Sequence, residues 1–290
     1  KAAMPKAPAK NGKRIACVGG GPASLTVARD LAVLGYEIVI YDQDPKLGGF
    51  IRTQIPHFRL PESVIDEEVG YITGIGNIEV KTGTRVDSLK KILAENYDAV
   101  FVGTGAPRGR DLDLPGQKAA GANIHIGIDW LSSVSFEHID KIGKRVIVLG
   151  GGNTAMDCCR TSRRLGGDDV KVIVRSGFDE MKASPWEKED AMHEGIPILN
   201  FLVPKEFTHK NGKLTGVTFE KVIAKKDEKG RRQLVPSGEP DQHFECDDVL
   251  VAIGQENSFP WIERNAGIEF DKWGMPVVDA TTMQASLPSV

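Results

Sequence analysis

The amino-acid sequence predicts an α/β protein with two doubly wound parallel sheets and a small antiparallel β meander. The main observation is an internal repeat, because residues 14–35 resemble residues 145–166 at a constant offset of 131 positions (145 minus 14). A second observation is the glycine content: 32 of the 290 residues are glycine, and many stand in clusters such as Gly19–Gly21 and Gly150–Gly152. Clustered glycine is typical of loops in which the backbone approaches a ligand.

Each copy of the repeat has the pattern of a βαβ unit. A strand rich in β-branched residues, Ile15–Val18 or Val146–Leu149, precedes the glycines, and a helix follows them. A second strand closes each copy, at Glu37–Tyr41 and at Val170–Val174. Strand, glycine turn, helix and strand in this order form the unit of a doubly wound, Rossmann-like parallel sheet.

The glycines fit the pattern G-x-G-x-x-G/A of a dinucleotide-binding turn. In that turn the first glycine makes the tight bend, the second lets a pyrophosphate approach, and a small third residue lets the helix pack closely on the strand. The residues at these positions are Gly19, Gly21 and Ser24 in the first copy and Gly150, Gly152 and Ala155 in the second. Pro22 fits the first helical turn, where its missing N–H is not needed. Ser24 departs from the pattern, and we expect it to be tolerated.

The ends of the second strands indicate which dinucleotide each turn binds. Asp42 follows Gly21 by 21 residues, the spacing at which a carboxylate accepts the hydroxyls of an adenosine ribose. The first turn therefore suits FAD or NAD, neither of which has a 2′-phosphate. In the second copy Val174 is followed by Arg175 and Ser176, which can hold a phosphate and so favour NADP(H) over NAD(H). Two alternatives stay open: a parallel sheet that binds nothing, and an Arg175 that is an ordinary surface arginine.

Composition excludes several other classes of function. Lys and Arg number 37 against 40 Asp and Glu, so no basic field attracts nucleic acid. The four cysteines, Cys17, Cys158, Cys159 and Cys246, form no C-x-x-C, iron–sulfur or zinc spacing, and the six histidines show no metal-binding spacing. No apolar run is long enough for a membrane span. We therefore expect a metal-free protein without membrane insertion in a reducing, cytoplasmic setting, with Cys158 and Cys159 buried in the helix as packing.

The region after the second repeat predicts one more helix and the meander. Ser184–Gly195 has the composition of a helix, and we expect its acidic residues Glu187, Glu189 and Asp190 to face solvent. Apolar alternation beyond it predicts antiparallel strands, whose charges we expect to face solvent. These strands are Ile196–Leu202, Glu206–Thr208 and Leu214–Lys225, with turns at Asn211–Gly212 and Asp227–Gly230.

Several stretches together resemble the small-subunit family of glutamate synthase. The most specific are LGGFIRTQIPHFRLP (47–61) and GKRVIVLGGGNTAMD (143–157). The others are GGGPASL (19–25), DAVFVGTGA (98–106), LPG (114–116), EM (180–181) and VAIGQ (251–255). The flavin and nicotinamide module of this family also occurs in dihydropyrimidine dehydrogenase and in NADH-dependent ferredoxin:NADP oxidoreductase. The resemblance runs from about Arg14 to Val290.

The resemblance implies an FAD-binding domain that is interrupted by an inserted NAD(P)H-binding domain. Residues 1–13 form a linker, 14–118 the first part of the FAD domain, 119–252 the NAD(P)H domain, and 253–290 the return to the FAD domain. Members of the family usually also carry an N-terminal domain with iron–sulfur cysteines, and a glycine–aspartate motif after the S-L-P-x-V segment. The sequence contains neither, so we expect a C-terminally incomplete FAD domain in a fragment of a longer protein.

The resemblance also assigns cofactor contacts residue by residue. The residues implied for FAD are Gly19, Gly21, Pro22, Ala23, Asp42, Gly49, Arg52, Arg59, Val86, Thr104 and Gly105, with Ser24 added from the glycine pattern. Those implied for NADPH are Gly152, Asn153, Thr154, Arg175 and Gly254, with Gly150 added from the glycine pattern. Arg52 and Arg59 offer charge for the pyrophosphate or for an upstream partner. The family has further arginines where this chain has Ser176 and Phe178, which weakens the preference for NADP(H) and leaves NAD(H) open.

Hydride transfer between NAD(P)H and FAD, followed by electron transfer to an iron–sulfur domain or a larger partner subunit, is the implied function. No catalytic acid or base is assigned, because hydride transfer depends on the placement of the two rings. Disulfide reductases of this plan carry a cysteine pair beside the flavin, and residues 43–50 and 176–186 contain no cysteine. The alternative is a non-catalytic, dinucleotide-binding scaffold subunit. The terminal acceptor stays open among 2-oxoglutarate with glutamine, a pyrimidine, ferredoxin and a formate-oxidising partner.

Overall fold

In the computed structural model, which describes residues 5–226 and 228–290, the chain forms two compact units. One unit runs to Arg108 and resumes at Asn257–Val290, and the other consists of Gly109–Glu256. The second unit is thus inserted into the first along the chain. Each unit contains a parallel sheet, and the second unit also contains an antiparallel sheet, so the predicted fold class is confirmed.

The first unit has a four-stranded parallel sheet. Its strands are β1 (Arg14–Val18), β2 (Glu37–Tyr41), β3 (Ile78–Lys81) and β4 (Ala99–Val102). Its helices are α1 (Pro22–Ala32), α2 (Phe50–Thr53), α3 (Glu62–Thr73) and α4 (Leu89–Leu93). The strand order β3-β2-β1-β4 places β1 in the interior, between β2 and β4. The glycine turn after β1 therefore lies at the carboxyl edge of the sheet, with a neighbouring strand on each side.

Apolar side chains cover both faces of this sheet, as period-two alternation requires. Cys17 points to the face that α1 covers. Val18 points to the opposite face, where Trp261 and other residues of the segment 257–290 pack against it. The same segment reaches β4, because the amide of Val100 donates a hydrogen bond of 2.7 Å to the carbonyl of Ser289. The end of the chain thus belongs to the first unit both by apolar packing and by backbone hydrogen bonding.

The second unit has a five-stranded parallel sheet and a four-stranded antiparallel sheet. The parallel strands are β6 (Ile124–Ile126), β7 (Arg145–Leu149), β8 (Asp169–Val174), β9 (Ile198–Asn200) and β14 (Asp248–Val251), in the order β6-β14-β7-β8-β9. The antiparallel strands are β10 (Leu202–Lys210), β11 (Lys213–Lys226), β12 (Arg232–Pro236) and β13 (Gln242–Glu245). The helices are α5 (Gly127–Ser135), α6 (Asn153–Arg164) and α7 (Pro185–His193). Two short strands, β5 (Arg108–Gly109) and β15 (Gln255–Glu256), stand where the chain passes between the units.

Most of the predicted elements are confirmed. The four strands of the repeat lie within one residue of their predicted bounds. The hairpin turn at Asn211–Gly212 is confirmed, because both residues have positive φ, 52° and 77°, between β10 and β11. The prediction that Ile196–Leu202 belongs to the meander is wrong, because Ile198–Asn200 pairs in parallel with β8. The turn predicted at Asp227–Gly230 begins with Asp227, which lies outside the described residues.

The unit boundaries differ from the predicted domain boundaries. The first crossover follows Arg108 rather than residue 118, because the LPG turn is attached to β10. The amide of Phe207 donates a hydrogen bond of 2.9 Å to the carbonyl of Pro115. The return follows Glu256 rather than residue 252, and the amide of Arg110 donates a hydrogen bond of 2.9 Å to the carbonyl of Gly254 within the same unit. Which unit binds which dinucleotide stays a prediction.

A buried ion cluster holds α7 against α6. The guanidinium of Arg160 lies 3.1 Å from Glu187, 3.1 Å from Asp190 and 3.0 Å from Glu194. The side chains of Arg160 and Glu187 are 9% and 4% exposed. The expectation that Glu187 faces solvent is therefore wrong, because an arginine on the neighbouring helix pairs with it and allows its burial. Glu189 and Asp190 are exposed, as expected.

The four cysteines are all buried free thiols. Burial raises the pKa of Cys17, Cys159 and Cys246 to about 12, and burial also raises the pKa of Cys158. Cys158 and Cys159 belong to the apolar cluster around α6, which confirms their packing role. Within residues 5–226 and 228–290, no helix combines the length and the apolar content that crossing a membrane requires.

The ion cluster yields a stability prediction. Arg160→Met should lower the free energy of unfolding by about 3 kcal/mol, because it leaves the buried carboxylate of Glu187 without its cation. Arg164→Met is the matched control: this arginine pairs with Glu194 at 2.7 Å but is 41% exposed. Its loss should change the free energy by less than about 1 kcal/mol. Urea unfolding followed by circular dichroism measures both, and equal changes in the two variants would contradict the burial argument.

Candidate functional site

The first glycine turn (Gly19–Ser24) follows β1 and needs glycine at its first position. Gly19 has a φ of +97°, and a Cβ there would lie 2.5 Å from the carbonyl oxygen of Gly103 at the end of β4. The amide of Gly19 donates a hydrogen bond of 2.8 Å to the carbonyl of Tyr41. The turn is therefore held between the ends of β2 and β4, and no side chain fits between it and β4.

The third position of the turn, Ser24, lies in a close helix–strand contact, and its buried Oγ has no hydrogen-bond partner among the described residues, so the tolerance of serine there stays a prediction. Ser24 is fully buried in the first turn of α1. A Cβ on Gly103 would lie 2.2 Å from the Ser24 Oγ, so helix and strand end approach closely because Gly103 has no side chain. The pattern usually has glycine or alanine at the position of Ser24. Here the glycine stands at the end of β4 instead, at Gly103.

The N-terminus of α1 presents backbone amides to the carboxyl edge of the sheet. Gly21 is the N-cap in extended conformation, Pro22 is the first helical residue, and no described side chain caps the helix. The first amides of a helix have no partner within the helix and carry partial positive charge, which suits an anion. A Cβ on Gly21 would meet only the Cα of Gly49, at 3.8 Å. The two glycines Gly21 and Gly49 thus leave the backbone accessible, as the pyrophosphate pattern requires.

Asp42 lies at the end of β2, next to this turn. Its Oδ2 accepts a hydrogen bond of 2.6 Å from the amide of Gly20, and its Oδ1 accepts one of 2.9 Å from the amide of Asp44. Burial raises the pKa of Asp42, and the two backbone hydrogen bonds act in the opposite direction. The carboxylate is thus tied to the glycine turn, at the position where an acid contacts an adenosine ribose. Its contact with the ribose stays a prediction.

The other residues implied for FAD have different surroundings. Thr104, just after β4, has a buried Oγ1 with no hydrogen-bond partner among the described residues. Gly105 has a φ of +64° with no described atom within 4 Å of a Cβ position. Val86 packs in the apolar cluster on the face of the sheet that segment 257–290 covers. Ala23 is exposed, and Arg59 is half-buried in the loop after α2.

Arg52 has its guanidinium engaged inside the protein. The residue is 1% exposed, and its Nε donates a hydrogen bond of 2.6 Å to the carbonyl of Leu47. Its Nη1 and Nη2 donate to Glu62 at 3.0 Å and to Asp66 at 2.7 Å. Arg52 therefore anchors the loop that carries Gly49 to α3. The charge expected from Arg52 for a pyrophosphate is already balanced by the two carboxylates.

The second glycine turn (Gly150–Ala155) repeats the geometry of the first. Gly150 has a φ of +142°, and a Cβ there would lie 2.1 Å from the carbonyl oxygen of Ala252 after β14. Gly152 is the extended N-cap of α6 without a side-chain cap, and no described atom lies within 4 Å of a Cβ position on it. Ala155 is fully buried against the sheet. The second turn is thus open at the position where a pyrophosphate approaches.

The residues Ala183 and Ser184, which the sequence did not indicate as part of the site, contact the second glycine turn. The amide of Ser184 donates a hydrogen bond of 2.8 Å to the Oδ1 of Asn153, the first residue of α6. The amide of Ala183 donates one of 2.9 Å to the carbonyl of Gly151. Thr154 follows Asn153 and is half-buried. No local pattern in the sequence announces this contact, because 31 residues separate its two partners.

The strand register shows how the two turns differ. The amide of Gly19 bonds to the carbonyl of Tyr41, and the amide of Gly150 bonds to the carbonyl of Ile173 at 3.2 Å. Val174 therefore occupies the position that Asp42 occupies in the first unit. A Cβ on Gly151 would lie 2.9 Å from the Val174 Cγ1. The second turn thus has valine in place of the ribose-binding acid, and the next residue, Arg175, is exposed.

Gly254 lies beside an arginine that the sequence did not single out. Gly254 has a φ of +127°, and a Cβ there would lie 3.6 Å from the Cδ of Arg110. The side chain of Arg110 is 60% exposed, with its Nε 3.9 Å from Glu256. Arg110 places a cation next to the strand end implied for NADPH. Only the register between Arg110 and Gly254 reveals this neighbour, since 144 positions separate them (254 minus 110).

The residues present fit the two cofactors that the sequence predicts. Each turn has an uncapped helix N-terminus with glycine at the N-cap; a Cβ on Gly21 would make only an ordinary contact, with the Gly49 Cα, and one on Gly152 would meet no described atom within 4 Å. The hydroxyl of Thr104 still lacks a partner, as a group that contacts a bound molecule would. The residues implied for FAD all lie in the first unit and those implied for NADPH all lie in the second. No group of three or more His, Cys, Asp or Glu side chains suited to a metal ion occurs in the described part of the chain.

Known proteins match the chain over nearly its whole length. It is 34% identical over 284 residues to the NADP(+)-dependent formate dehydrogenase subunit beta of Moorella thermoacetica, covering 97% of this chain and 40% of the relative. It is also 34% identical over 281 residues to the NADPH-Fe(3+) oxidoreductase subunit beta of Geobacter sulfurreducens, covering 94% and 42%. The chain thus spans about two fifths of the length of these curated relatives.

Solved structures share the fold. FprA from Mycobacterium tuberculosis in complex with NADPH superposes with a TM-score of 0.70 at 20% identity, over 90% of this chain and 74% of that chain. Thioredoxin reductase from T. acidophilum has a TM-score of 0.67 at 18% identity, over 95% and 87%. These likenesses support the predicted α/β architecture.

The family model of the pyridine nucleotide-disulphide oxidoreductases matches residues 13–290. Together with the curated relatives, this match confirms the resemblance to the small-subunit family of glutamate synthase. The predicted cofactors, FAD and NADP(H), agree with it. The chain belongs to the pyridine nucleotide-disulphide oxidoreductase family.

Proposed function

We propose that the chain is the flavin and nicotinamide module of an NAD(P)H-dependent oxidoreductase, and that it passes electrons to an iron–sulfur domain or partner subunit. One observation carries the proposal: both units place an uncapped helix N-terminus, with an accessible glycine at the N-cap, at the carboxyl edge of a parallel sheet. This is the arrangement that holds a dinucleotide pyrophosphate. Two such turns in one chain suit a pair of dinucleotides.

In the first unit we assign FAD to the turn between β1 and α1. The amides at the start of α1 would hold the pyrophosphate, and Asp42 would accept the ribose hydroxyls while it stays bonded to Gly20. Thr104 and Gly105 would also contact FAD, and the buried Thr104 hydroxyl, which has no partner among the described residues, is available for such a contact. FAD, once bound, supplies a ring that accepts a hydride and releases electrons singly.

In the second unit we assign NADP(H) to the turn between β7 and α6. The start of α6 would hold the pyrophosphate, and the strand end at Gly254, with Arg110 beside it, would also contact NADP(H). Val174 in place of an acid removes the group that repels a 2′-phosphate, and Arg175 supplies a cation beside it. The exposed position of Arg175 agrees with this role.

The cysteine positions support transfer of electrons out of the chain. All four cysteines are buried free thiols, so the described residues present no disulfide to which a reduced flavin could pass its electrons. Two relatives are named as β subunits, of an NADP(+)-dependent formate dehydrogenase and of an NADPH-Fe(3+) oxidoreductase. We extend this to a partner with iron–sulfur clusters, in the cytoplasmic setting that the sequence favours. A scaffold subunit without its own redox step remains the competing function.

The decisive experiment uses the full-length protein with its flavin. Mixing it anaerobically with NADPH in a stopped-flow instrument should bleach the visible absorbance of the oxidised flavin within about a second, as expected from typical turnover of about 1 to 1,000 per second. NADPH should give this bleaching more readily than NADH. A colourless preparation that takes up no FAD, or a bound flavin that NADPH leaves oxidised, would favour the scaffold function instead.

Gly152→Ala tests the second glycine turn separately from folding. Gly152 has φ −102° and ψ 176°, which any residue adopts, so the variant should fold normally. Its methyl group would fill the space that the pyrophosphate needs, and the affinity for NADP+ should fall at least about tenfold. Isothermal titration calorimetry measures the affinity. Gly21→Ala is the matched variant in the first unit and should leave NADP+ binding unchanged; unaltered affinity in Gly152→Ala would place the dinucleotide elsewhere.

Arg175→Asp tests the choice between the nicotinamide cofactors. An aspartate at the 2′ position repels a phosphate and accepts ribose hydroxyls, so the ratio of NADPH to NADH affinity should fall at least about tenfold. Steady-state KM values for both cofactors, with total activity retained, would show the change. An unchanged ratio would mean that Arg175 is not the phosphate anchor.

A further inference from the structure

We propose that Arg232, on the antiparallel sheet, determines the preference for a 2′-phosphorylated nucleotide by neutralising Glu180 at the turn after β8. The inference rests on the proposed function, because it concerns the adenosine end of the dinucleotide assigned to the second unit. Arg232 would act as a positioning residue through Glu180. The antiparallel meander, whose charges the sequence led us to assign to solvent, would then contribute to the site.

The turn after β8 is built around one carboxylate oxygen. The Oε2 of Glu180 accepts a hydrogen bond of 2.7 Å from the amide of Gly177, and it also accepts one from the guanidinium of Arg232. Glu180 and Arg232 are 40% and 38% exposed. Because Gly177 stands two residues after Arg175, this carboxylate belongs to the same turn as the expected phosphate anchor.

Other elements hold the turn in this conformation. The Nδ2 of Asn200 donates a hydrogen bond of 2.9 Å to the carbonyl of Ser176. The Nζ of Lys188 donates one of 3.1 Å to the carbonyl of Phe178 and lies 4.2 Å from the centre of its ring. A Cβ on Gly177 would lie 3.0 Å from the ring of Phe201. The position of Glu180 is therefore set by the fold.

The charge balance of the turn depends on groups outside it. Residues 175–182 contain two cations, Arg175 and Lys182, and two anions, Asp179 and Glu180. The turn alone is neutral, and an unpaired Glu180 would repel a 2′-phosphate close by. Arg232 pairs with this carboxylate and makes the local charge positive, as does Lys188 from α7.

The hairpin that delivers Arg232 is strongly basic. Residues 225–232 contain five Lys or Arg and two acidic residues. In the register of the hairpin Arg232 lies opposite Lys226, near the end where β11 passes into β12. A basic arm joined to the turn by an ion pair suits a ligand group with two negative charges better than the neutral hydroxyl of NAD(H).

Binding measurements with Arg232→Met test the inference without reliance on catalysis. The full-length protein is titrated with adenosine 2′,5′-bisphosphate and with 5′-AMP, and with NADP+ and NAD+, by calorimetry. The variant should bind the two 2′-phosphorylated ligands at least about fivefold more weakly, because the Glu180 carboxylate, no longer neutralised, then repels the 2′-phosphate. Its affinity for 5′-AMP and NAD+ should change less than about twofold. Arg232→Lys should retain most of the preference.

Two further variants separate charge neutralisation from a general structural effect. Adding Glu180→Gln to Arg232→Met should restore part of the preference, because it removes the carboxylate that the arginine neutralises. Lys205→Met is the charge-matched control: Lys205 pairs with Asp241 at 2.8 Å on the same sheet at 45% and 39% exposure, and its loss should leave all four affinities unchanged.

The outcomes distinguish this inference from the function on which it rests. A wild-type protein that binds neither NADP+ nor NAD+ would overturn the proposed function, and the inference with it. If the wild type binds both dinucleotides and Arg232→Met weakens the binding of all four ligands equally, Arg232 has only a structural role. That result would overturn the inference and leave the proposed function intact. If Arg232→Met leaves the ratio of NADP+ affinity to NAD+ affinity unchanged, the inference is also overturned.

Discussion

Both glycine turns depend on the same close approach of backbone to backbone. The first glycine of each turn lies against a carbonyl oxygen at the end of a neighbouring strand, Gly103 for Gly19 and Ala252 for Gly150, at distances that a Cβ could not accept. Because the bend is this tight, the chain reverses directly into a helix whose free amides face the edge of the sheet. The position of the helix N-termini, at Gly21 and Gly152, follows from that constraint.

From this shared geometry, the two units diverge through a few side chains. A buried carboxylate, Asp42, is bonded to the first turn, whereas the register places Val174 at the same point of the second. The difference puts an uncharged side chain in the second turn where the first has a carboxylate, and the next residue in the second turn is the cation Arg175. The two turns thus share the glycines and the helix that follows them, and they differ in the residue that stands directly after the bonded carbonyl of the second strand.

The sequence predicted the repeat well because its signals are local. The run Ile15–Val18, the glycines and the following helix lie within a few residues of one another. What it missed depends on distant partners: Glu187 is buried because Arg160 on another helix pairs with it, and Asn153 is held by Ser184. The three-residue strand Ile198–Asn200 is too short for periodicity to separate it from the meander that follows.

The interrupted course of the chain has a consequence for biosynthesis. The second unit, Gly109–Glu256, is continuous and can condense as soon as it leaves the ribosome. The β1–β4 sheet, by contrast, keeps the face that Val18 lines only partly covered until Trp261 and its neighbours are synthesised, and β4 gains its hydrogen bond to the Ser289 carbonyl later still. A nascent chain stalled before residue 257 would therefore be a natural client for a chaperone that recognises exposed aliphatic strands.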